Sequence, residues 1–236
     1  MGKNLTQQKR GRGSPVFRRP GFRSEGENCI GKSGTAIITE LLSCQAHSAP
    51  LARLKYTDDN STTLIIAPEG VRRGQAITVG GSEIIFGNIA ELKNVPEGTS
   101  IFNIECRPGD GGKFVKASGT SARVVAKTVA KVTVLLPSKK YKDFHPDCRA
   151  CIGVVAGGGR PEKPFYKAGR KFFEMKARNK YWPSVSGTSM NAVDHPFGGH
   201  KSHHKGKPTT APRNAPPGRK VGMIRPRSSG RSKVRR

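Results

Sequence analysis

Lys131-Val132-Thr133-Val134-Leu135-Leu136 is the stretch that decides the fold class. Its side chains alternate: Val132, Val134 and Leu136 share one face of an extended strand, opposite Lys131, Thr133 and Leu135. Working outward, β-branched runs recur on both sides. Arg123-Val124-Val125-Ala126-Lys127-Thr128-Val129 precedes it, and Ala150-Cys151-Ile152-Gly153-Val154-Val155 follows. Further upstream lie the runs 35–42, 52–56, 62–67, 76–79 and 99–105, each bounded by Gly, Pro, Asp or Asn. Asp58-Asp59-Asn60, between two of these runs, marks a hairpin turn. Short strands with turn signals roughly every ten residues predict a mostly β fold of small barrels. Residues 36–156 leave room for two, spanning 36–80 and 81–156 and dividing near Gly80-Gly81. Lys167 to Lys180 is the only plausible helix of any length.

Charge separates this block from its flanks. The 236 residues carry 43 Lys+Arg against 16 Asp+Glu, a net +27 and a pI near 10.6. Residues 36–156 are nearly balanced, with fifteen basic and eleven acidic side chains. Residues 1–35 carry eight and two, and residues 157–236 carry twenty and three. The ends therefore read as basic extensions around a β centre. The C-terminal one is Gly/Pro-rich, with Gly157-Gly158-Gly159, Gly198-Gly199 and Pro216-Pro217-Gly218. Such a segment buries too little apolar surface to offset its ordering entropy. It is expected to be disordered alone and to order along a polyanion, where each Lys or Arg neutralises a phosphate.

Several classes drop out. Runs such as Leu64-Ile65-Ile66-Ala67 fall far short of the ~20 apolar residues that span a bilayer. Gly11, Gly13, Pro15 and Pro20 stand where a signal peptide would need an apolar stretch. Five cysteines, an odd and irregular set, form no disulfide framework. The chain reads as intracellular, soluble and thiol-reduced, with no membrane partner.

Three patterns invite chemistry. Gly26-Glu27-Asn28-Cys29-Ile30-Gly31-Lys32-Ser33 satisfies the P-loop spacing, which works only between a buried strand and a helix. Here Arg18-Arg19-Pro20-Gly21-Phe22-Arg23 precedes it and a β-branched run follows, so it is expected to be a loop entering the first strand. Cys148-Arg149-Ala150-Cys151 near His145 has the zinc spacing, but no second pair completes a site. His195, His200, His203 and His204 sit among Lys201, Lys205 and Lys207, a setting that suits RNA better than a dication. No metal, cofactor or catalytic residue is assigned. Phe165-Tyr166, Phe172-Phe173 and Tyr181-Trp182 interleave with basic residues and offer stacking platforms, Trp182 foremost.

The longest shared motifs lie at the C-terminal end. Gly153-Val154-Val155-Ala156-Gly157-Gly158-Gly159-Arg160 is followed by Lys163-Pro164 and Trp182-Pro183. Then come Met190-Asn191-Ala192-Val193-Asp194-His195-Pro196-Phe197-Gly198-Gly199 and Ala215-Pro216-Pro217-Gly218-Arg219-Lys220-Val221-Gly222. With Gly11-Arg12-Gly13-Ser14 and Val16-Phe17-Arg18, these make the chain closely resemble the L-two family of large-subunit ribosomal proteins, in its archaeal or eukaryotic form. The resemblance covers essentially the whole chain. It implies an OB-like barrel (36–80) followed by an SH3-like barrel (81–156), with extensions (1–35 and 157–236) that penetrate rRNA. It also implies a structural, non-enzymatic part in the cytoplasmic ribosome. The family binds large-subunit rRNA, neighbours other ribosomal proteins, and supports subunit association, tRNA binding and the peptidyl-transferase region. The family histidine linked with peptidyl transfer matches His195, which is expected to act structurally or by contacting RNA. One departure stands out: Ser186-Gly187-Thr188-Ser189-Met190 replaces the usual Arg-Gly-x-Ala-Met, so one expected phosphate contact is missing or supplied elsewhere.

RNA contacts are accordingly expected from Arg10, Arg12, Arg18, Arg19 and Arg23 at the N-terminal end. The barrels would add Arg53, Lys55, Lys113 and Arg123. Beyond them follow Arg160, Lys163, Lys167, Arg170, Lys171, Lys176, Arg178, Lys180 and Trp182. The last group is Asn191, His195, His200, Lys201, His203, Lys205, Arg219, Lys220, Arg227 and Arg231. Most should reach phosphate and 2′-OH rather than base edges. The alternatives are a basic DNA- or RNA-binding module outside the ribosome, and a P-loop enzyme.

Overall fold

The β-branched run at Gly34–Leu42 forms strand β1, and its side chains Ala36 and Ile38 are fully buried. A computed structural model of the chain describes residues 2–18, 21, 24–199 and 204–226. Its chain divides into two units, Pro20–Tyr166 and a second made of Met1–Arg19 with Lys167–Arg236.

In the first unit β1 pairs antiparallel with β2 (Leu51–Tyr56), which pairs with β3 (Thr62–Ile66). The Asp58-Asp59-Asn60 hairpin expected between them is present: Asn60 takes φ 56°, and Asp59 accepts from the Ser61 amide at 3.0 Å. On its other side β1 pairs with β4 (Ala76–Val79). The sheet passes to β5 (Ile89–Glu91) through one parallel pair, Val79↔Ile89. It continues through β10 (Arg149–Ile152) to β6 (Ser100–Phe102), β7 (Ala122–Lys127), β8 (Val132–Leu135) and β9 (Tyr141–Phe144). All neighbours except β4 and β5 are antiparallel. Bulges interrupt β1 between Ile38 and Glu40, and β7 between Val124 and Ala126. Each bends its strand, as a curling sheet requires.

This unit is mostly β, as the alternation in β8 predicts: Val132 and Val134 are buried while Thr133 and Leu135 are half-buried. Two hydrophobic cores result. The first gathers Ala36, Ile38, Leu51, Leu54, Ile65 and Ile77 with their neighbours; the second gathers Leu92, Val95, Val124, Val132, Val134 and Phe144. They share a wall. Ile89, Cys151 and Phe102 lie in register across β5, β10 and β6, and all three enter the first core. Ala90, Ala150, Ile152 and Ile101, on the opposite face of the same strands, enter the second. The two-residue period of a strand makes this double use possible.

The loop matching the P-loop spacing runs into β1, a strand rather than a helix, so the phosphate cradle is absent. Its residues have packing roles instead. Asn28 is buried, donates to the Asn103 side chain at 2.8 Å and accepts from the Ile66 amide at 2.9 Å. Ile30 lies in the first core, although its residue number falls in the stretch expected to be an extension. A Cβ on Gly31 would lie 2.5 Å from the Tyr56 hydroxyl. The Lys32 ammonium, the phosphate ligand of a true P-loop, pairs with Asp59.

Beside this loop sits a buried ion pair. The Glu105 side chain is fully buried and meets Arg149, 15% exposed, at 2.8 Å. Glu105 also accepts from the amides of Gly109, Gly111 and Arg149. Arg149 donates onward to the carbonyl of Gly31 at 2.6 Å. The carboxylate is thus satisfied on all sides, as a buried charge must be.

Candidate nucleic-acid interface

The second unit has little apolar surface to hide. Its only hydrophobic cluster of buried residues, among those described, is Leu5, Phe197 and Val221. Backbone bonds and turns shape the rest. Helix α1 (Thr6–Gly11) begins where the Gln8 side chain accepts from the Leu5 amide at 2.7 Å. Helix α2 (Ala168–Ala177) falls in the stretch where the sequence predicts one, and buries no residue. Arg178 follows its last turn and pairs with Glu174 at 3.2 Å. A cation near a helix C-terminus complements the free carbonyls there.

Aromatic rings in this unit carry cations. Arg10 stands 5.2 Å over the Phe17 ring, which stacks with Tyr181 at 6.1 Å. Lys171 lies 5.9 Å from the Trp182 ring, which meets Phe172 edge-on at 6.4 Å. Lys205 lies 5.5 Å over Phe197. Each pairing holds a positive charge beside a flat apolar surface, the combination that a phosphate–base unit complements. Phe172 and Phe173 are exposed, at 41% and 67%.

The segment 187–199 is a compact turn organised around His195. The amides of Asp194 and His195 donate to the Asn191 carbonyl, and that of Gly199 donates to the Met190 carbonyl. Gly198 has no room for a side chain, because a Cβ there would meet the carbonyl oxygens of Met190 and Asn191. A Cβ on Gly187 would meet the His195 ring. The Phe197 amide donates to His195 Nδ1 at 3.0 Å. An amide can only donate, so Nδ1 carries no proton and the neutral ring holds its proton on Nε2. Burial also pulls the His195 pKa below its ordinary 6.5. Lys3 pairs with Asp194 at 3.3 Å and donates its amide to the Val193 carbonyl, tying the N-terminal residues to this turn. Lys3, Leu5, Arg10, Tyr181 and His195 line a pocket of about 550 Å³.

The remaining sequence-derived site residues fall into three sets. Arg12, Lys163, Lys167, Arg170, Lys176, Lys180, Asn191, Arg219 and Lys220 are exposed on the terminal segments. Arg18 is exposed there too, and donates to the Gly13 carbonyl at 2.6 Å. In the β unit Lys55, Lys113 and Arg123 are exposed, Arg160 donates to Ser118, and Arg53 pairs with Glu40. Arg19, Arg23, His200, Lys201, His203, Arg227 and Arg231 lie outside the described residues. Sequence reading passed over Lys3 and named Lys207 only as a neighbour of the histidines. A helix at residues 6–11 also escaped it, since Thr-Gln-Gln-Lys-Arg-Gly has no apolar period.

The thiols of the zinc-like spacing are buried. Desolvation pushes Cys148 up to about 11 and Cys151 up to about 12, the reverse of a thiolate ready for metal. Cys151 instead packs in the first core. Among the described residues no group of three or more metal-ligating side chains converges, and no helix is long and apolar enough to cross a membrane.

Residues 85–218 match the family model described as Ribosomal Proteins L2, C-terminal domain. Over 235 residues the chain is 50% identical to "Large ribosomal subunit protein uL2" of Archaeoglobus fulgidus, covering 98% of this chain and 99% of that one. It is 47% identical to the proteins of the same name from Methanopyrus kandleri and Haloarcula marismortui, over 98% of each chain.

Proposed function

The chain belongs to the uL2 family of large ribosomal subunit proteins, and from that premise we propose that its terminal unit binds large-subunit rRNA while the β unit presents it. The family is structural and non-enzymatic, and its place is the large subunit of the cytoplasmic ribosome. One observation carries the finer reading. The segment 157–236 has twenty basic and three acidic side chains and almost no core to fold around. Its cations sit over half-buried or buried aromatic rings and on turns, placed to meet phosphate.

In this reading 36–80 is an OB-like barrel, 81–156 an SH3-like barrel, and 1–35 and 157–236 are extensions that enter rRNA. Two separate cores support two barrels, with the first core also drawing Ile30 from before residue 36 and Ile89, Phe102, Cys151 and Val155 from beyond residue 80. Arg10, Lys171 and Lys205 act where they stand on Phe17, Trp182 and Phe197, and the exposed residues Lys163, Lys167, Arg170, Lys176, Lys180, Arg219 and Lys220 neutralise phosphates between rRNA helices. The exposed cations Lys55, Lys113 and Arg123 serve the β unit's own RNA face. His195 acts as the organiser of its turn, with Nε2–H as its remaining donor. Neighbouring ribosomal proteins, tRNA and the small subunit complete the set of partners.

The test is competition binding of the full chain to large-subunit rRNA against a non-cognate structured RNA and duplex DNA, across a salt series. A preference for the cognate rRNA that persists at high salt is expected. Tight low-salt binding without preference would reduce the protein to a polycation, and equal binding to duplex DNA would favour a general nucleic-acid module.

A further inference from the structure

Pro196 and Phe197, with residues between Lys207 and Val221, line a second pocket whose chemistry differs from the phosphate contacts around it. Building on the rRNA-binding reading, we propose that this pocket of about 550 Å³ receives one unstacked nucleobase of RNA. The pocket falls within the ~300–1,000 Å³ range of small-ligand sites. Its floor is apolar: Phe197, Ala211 and Val221 are each 6% exposed. Pro196 and Pro208 add flat rings to the walls. Lys207 and Arg219, both exposed, stand in the lining. Thr210 supplies a hydroxyl that can donate or accept at a base edge.

This combination selects its occupant. A free phosphate would need donors in the interior, where the pocket has rings and methyl groups. An apolar peptide would gain nothing from two cations. A nucleobase has an apolar π-face for the floor, polar edges for Thr210, and phosphates on either side for Lys207 and Arg219. Bases of an intact helix are held in the stack, so the nucleotide must come from a loop, bulge or single strand.

The walls are also set in advance. Thr210 and Ala211 (β11) pair in parallel with Met223 and Ile224 (β12). The amides of Met223 and Arg225 donate to the carbonyls of Thr209 and Ala211, each at 2.9 Å. The Val221 amide donates to the Arg219 carbonyl at 2.8 Å. The pocket therefore does not rest on loose side chains alone, and the base pays less for ordering it.

The full chain is titrated with a short single-stranded RNA containing one 2-aminopurine and with the same sequence in a duplex. The wild type is expected to prefer the single strand by about tenfold, with the fluorescence change of a base leaving its neighbours. Thr210→Trp fills the pocket and should bring the single-strand to duplex ratio close to one. Thr210→Ala leaves the space open and removes only the edge hydroxyl, so it should lower the preference to about threefold rather than abolish it, which separates filling the pocket from damaging the fold. Arg219→Ala should weaken both forms. A preference that survives Thr210→Trp, or one that Thr210→Ala loses equally, overturns the pocket while the rRNA reading stands. A wild-type chain that binds neither RNA form overturns both.

Discussion

The β unit and the terminal unit of this chain are ordered by opposite means. In Pro20–Tyr166, alternating side chains build two cores, and a single wall of β5, β10 and β6 serves both. In the terminal unit the only cluster of buried hydrophobic residues described comprises Leu5, Phe197 and Val221, and turns such as 187–199 are held by backbone carbonyls and by glycines with no space for a side chain. The first arrangement draws its stability from buried apolar area. The second carries most of the charge and little buried area, so on the proposed reading its ordering is stabilised mainly by the rRNA it binds. Charge and core are segregated because each opposes the other: like charges repel on compaction, and a core has no use for them.

The sharpest way to break this contrast is in the shared wall. Phe102→Ala, on its first-core face, is expected to cost ~3–5 kcal/mol, and Ile101→Ala, on its second-core face, ~2–5 kcal/mol. Because one wall serves both cores, denaturant unfolding followed by near-UV and far-UV signals should remain a single coincident transition in each variant. Two separated transitions would show that the cores stand independently.

Glu105→Ala tests the same unit through its buried charge. It leaves Arg149 without its partner and should cost ~3–5 kcal/mol, read from the shift in denaturation midpoint. A loss below ~1 kcal/mol would mean that water reaches the pair.

In the terminal unit the expected pattern inverts. Gly198→Ala places a methyl group against two carbonyl oxygens and should leave the β unit's unfolding within ~0.5 kcal/mol of wild type, since the site shares none of its core. Its rRNA affinity should fall by about tenfold as the turn opens. A large drop in global stability would erase the distinction between the units. More modestly, Lys180→Ala should lower the salt slope of rRNA binding by ~0.7–0.9, the share of one phosphate.

The smallest effect is that of pH on the 187–199 turn. Burial depresses the folded pKa of His195 below 6.5, so the unfolded turn binds the proton more readily. The turn is therefore at full stability above pH 6.5, and that stability is lost as pH falls from 6.5 through the folded pKa. Amide exchange at Phe197, whose N–H donates to the ring, should quicken over that window. Exchange that does not respond to pH beyond its intrinsic rate would show that the ring does not hold the turn.

Much of the β unit was legible because its strands obey a local rule. The runs at 35–42, 52–56, 62–67, 76–79 and 123–129 overlap β1, β2, β3, β4 and β7 within a residue or two. β9 escaped notice because Tyr141-Lys142-Asp143-Phe144 buries one side chain; pairing with β8 makes it a strand, with Lys142 opposite Val134. β5 escaped because three residues cannot display a period. The shared wall is invisible for another reason: it joins strands some fifty residues apart, and a boundary drawn near Gly80-Gly81 cannot show Ile89, Phe102 and Cys151 crossing into the first core. In the terminal unit, residue types announced a polyanion partner, while the His195 tautomer and the pocket between Phe197 and Val221 depend on the folded chain. The tautomer is set by a backbone amide, and the pocket's walls are held by backbone bonds that every residue can make.

The order in which the wall is made has a consequence for the nascent chain. β1 to β4 are synthesised by Val79, yet the core they face takes Phe102, Cys151 and Val155 from later in the chain. At ~5–20 residues per second, the first sheet waits on the order of 4–15 s with its apolar face uncovered. Over that interval Leu54, Ile65 and Ile77 are open to any other sticky surface. The first core can therefore close only once β10 has emerged, which sets the earliest point at which this unit completes its fold.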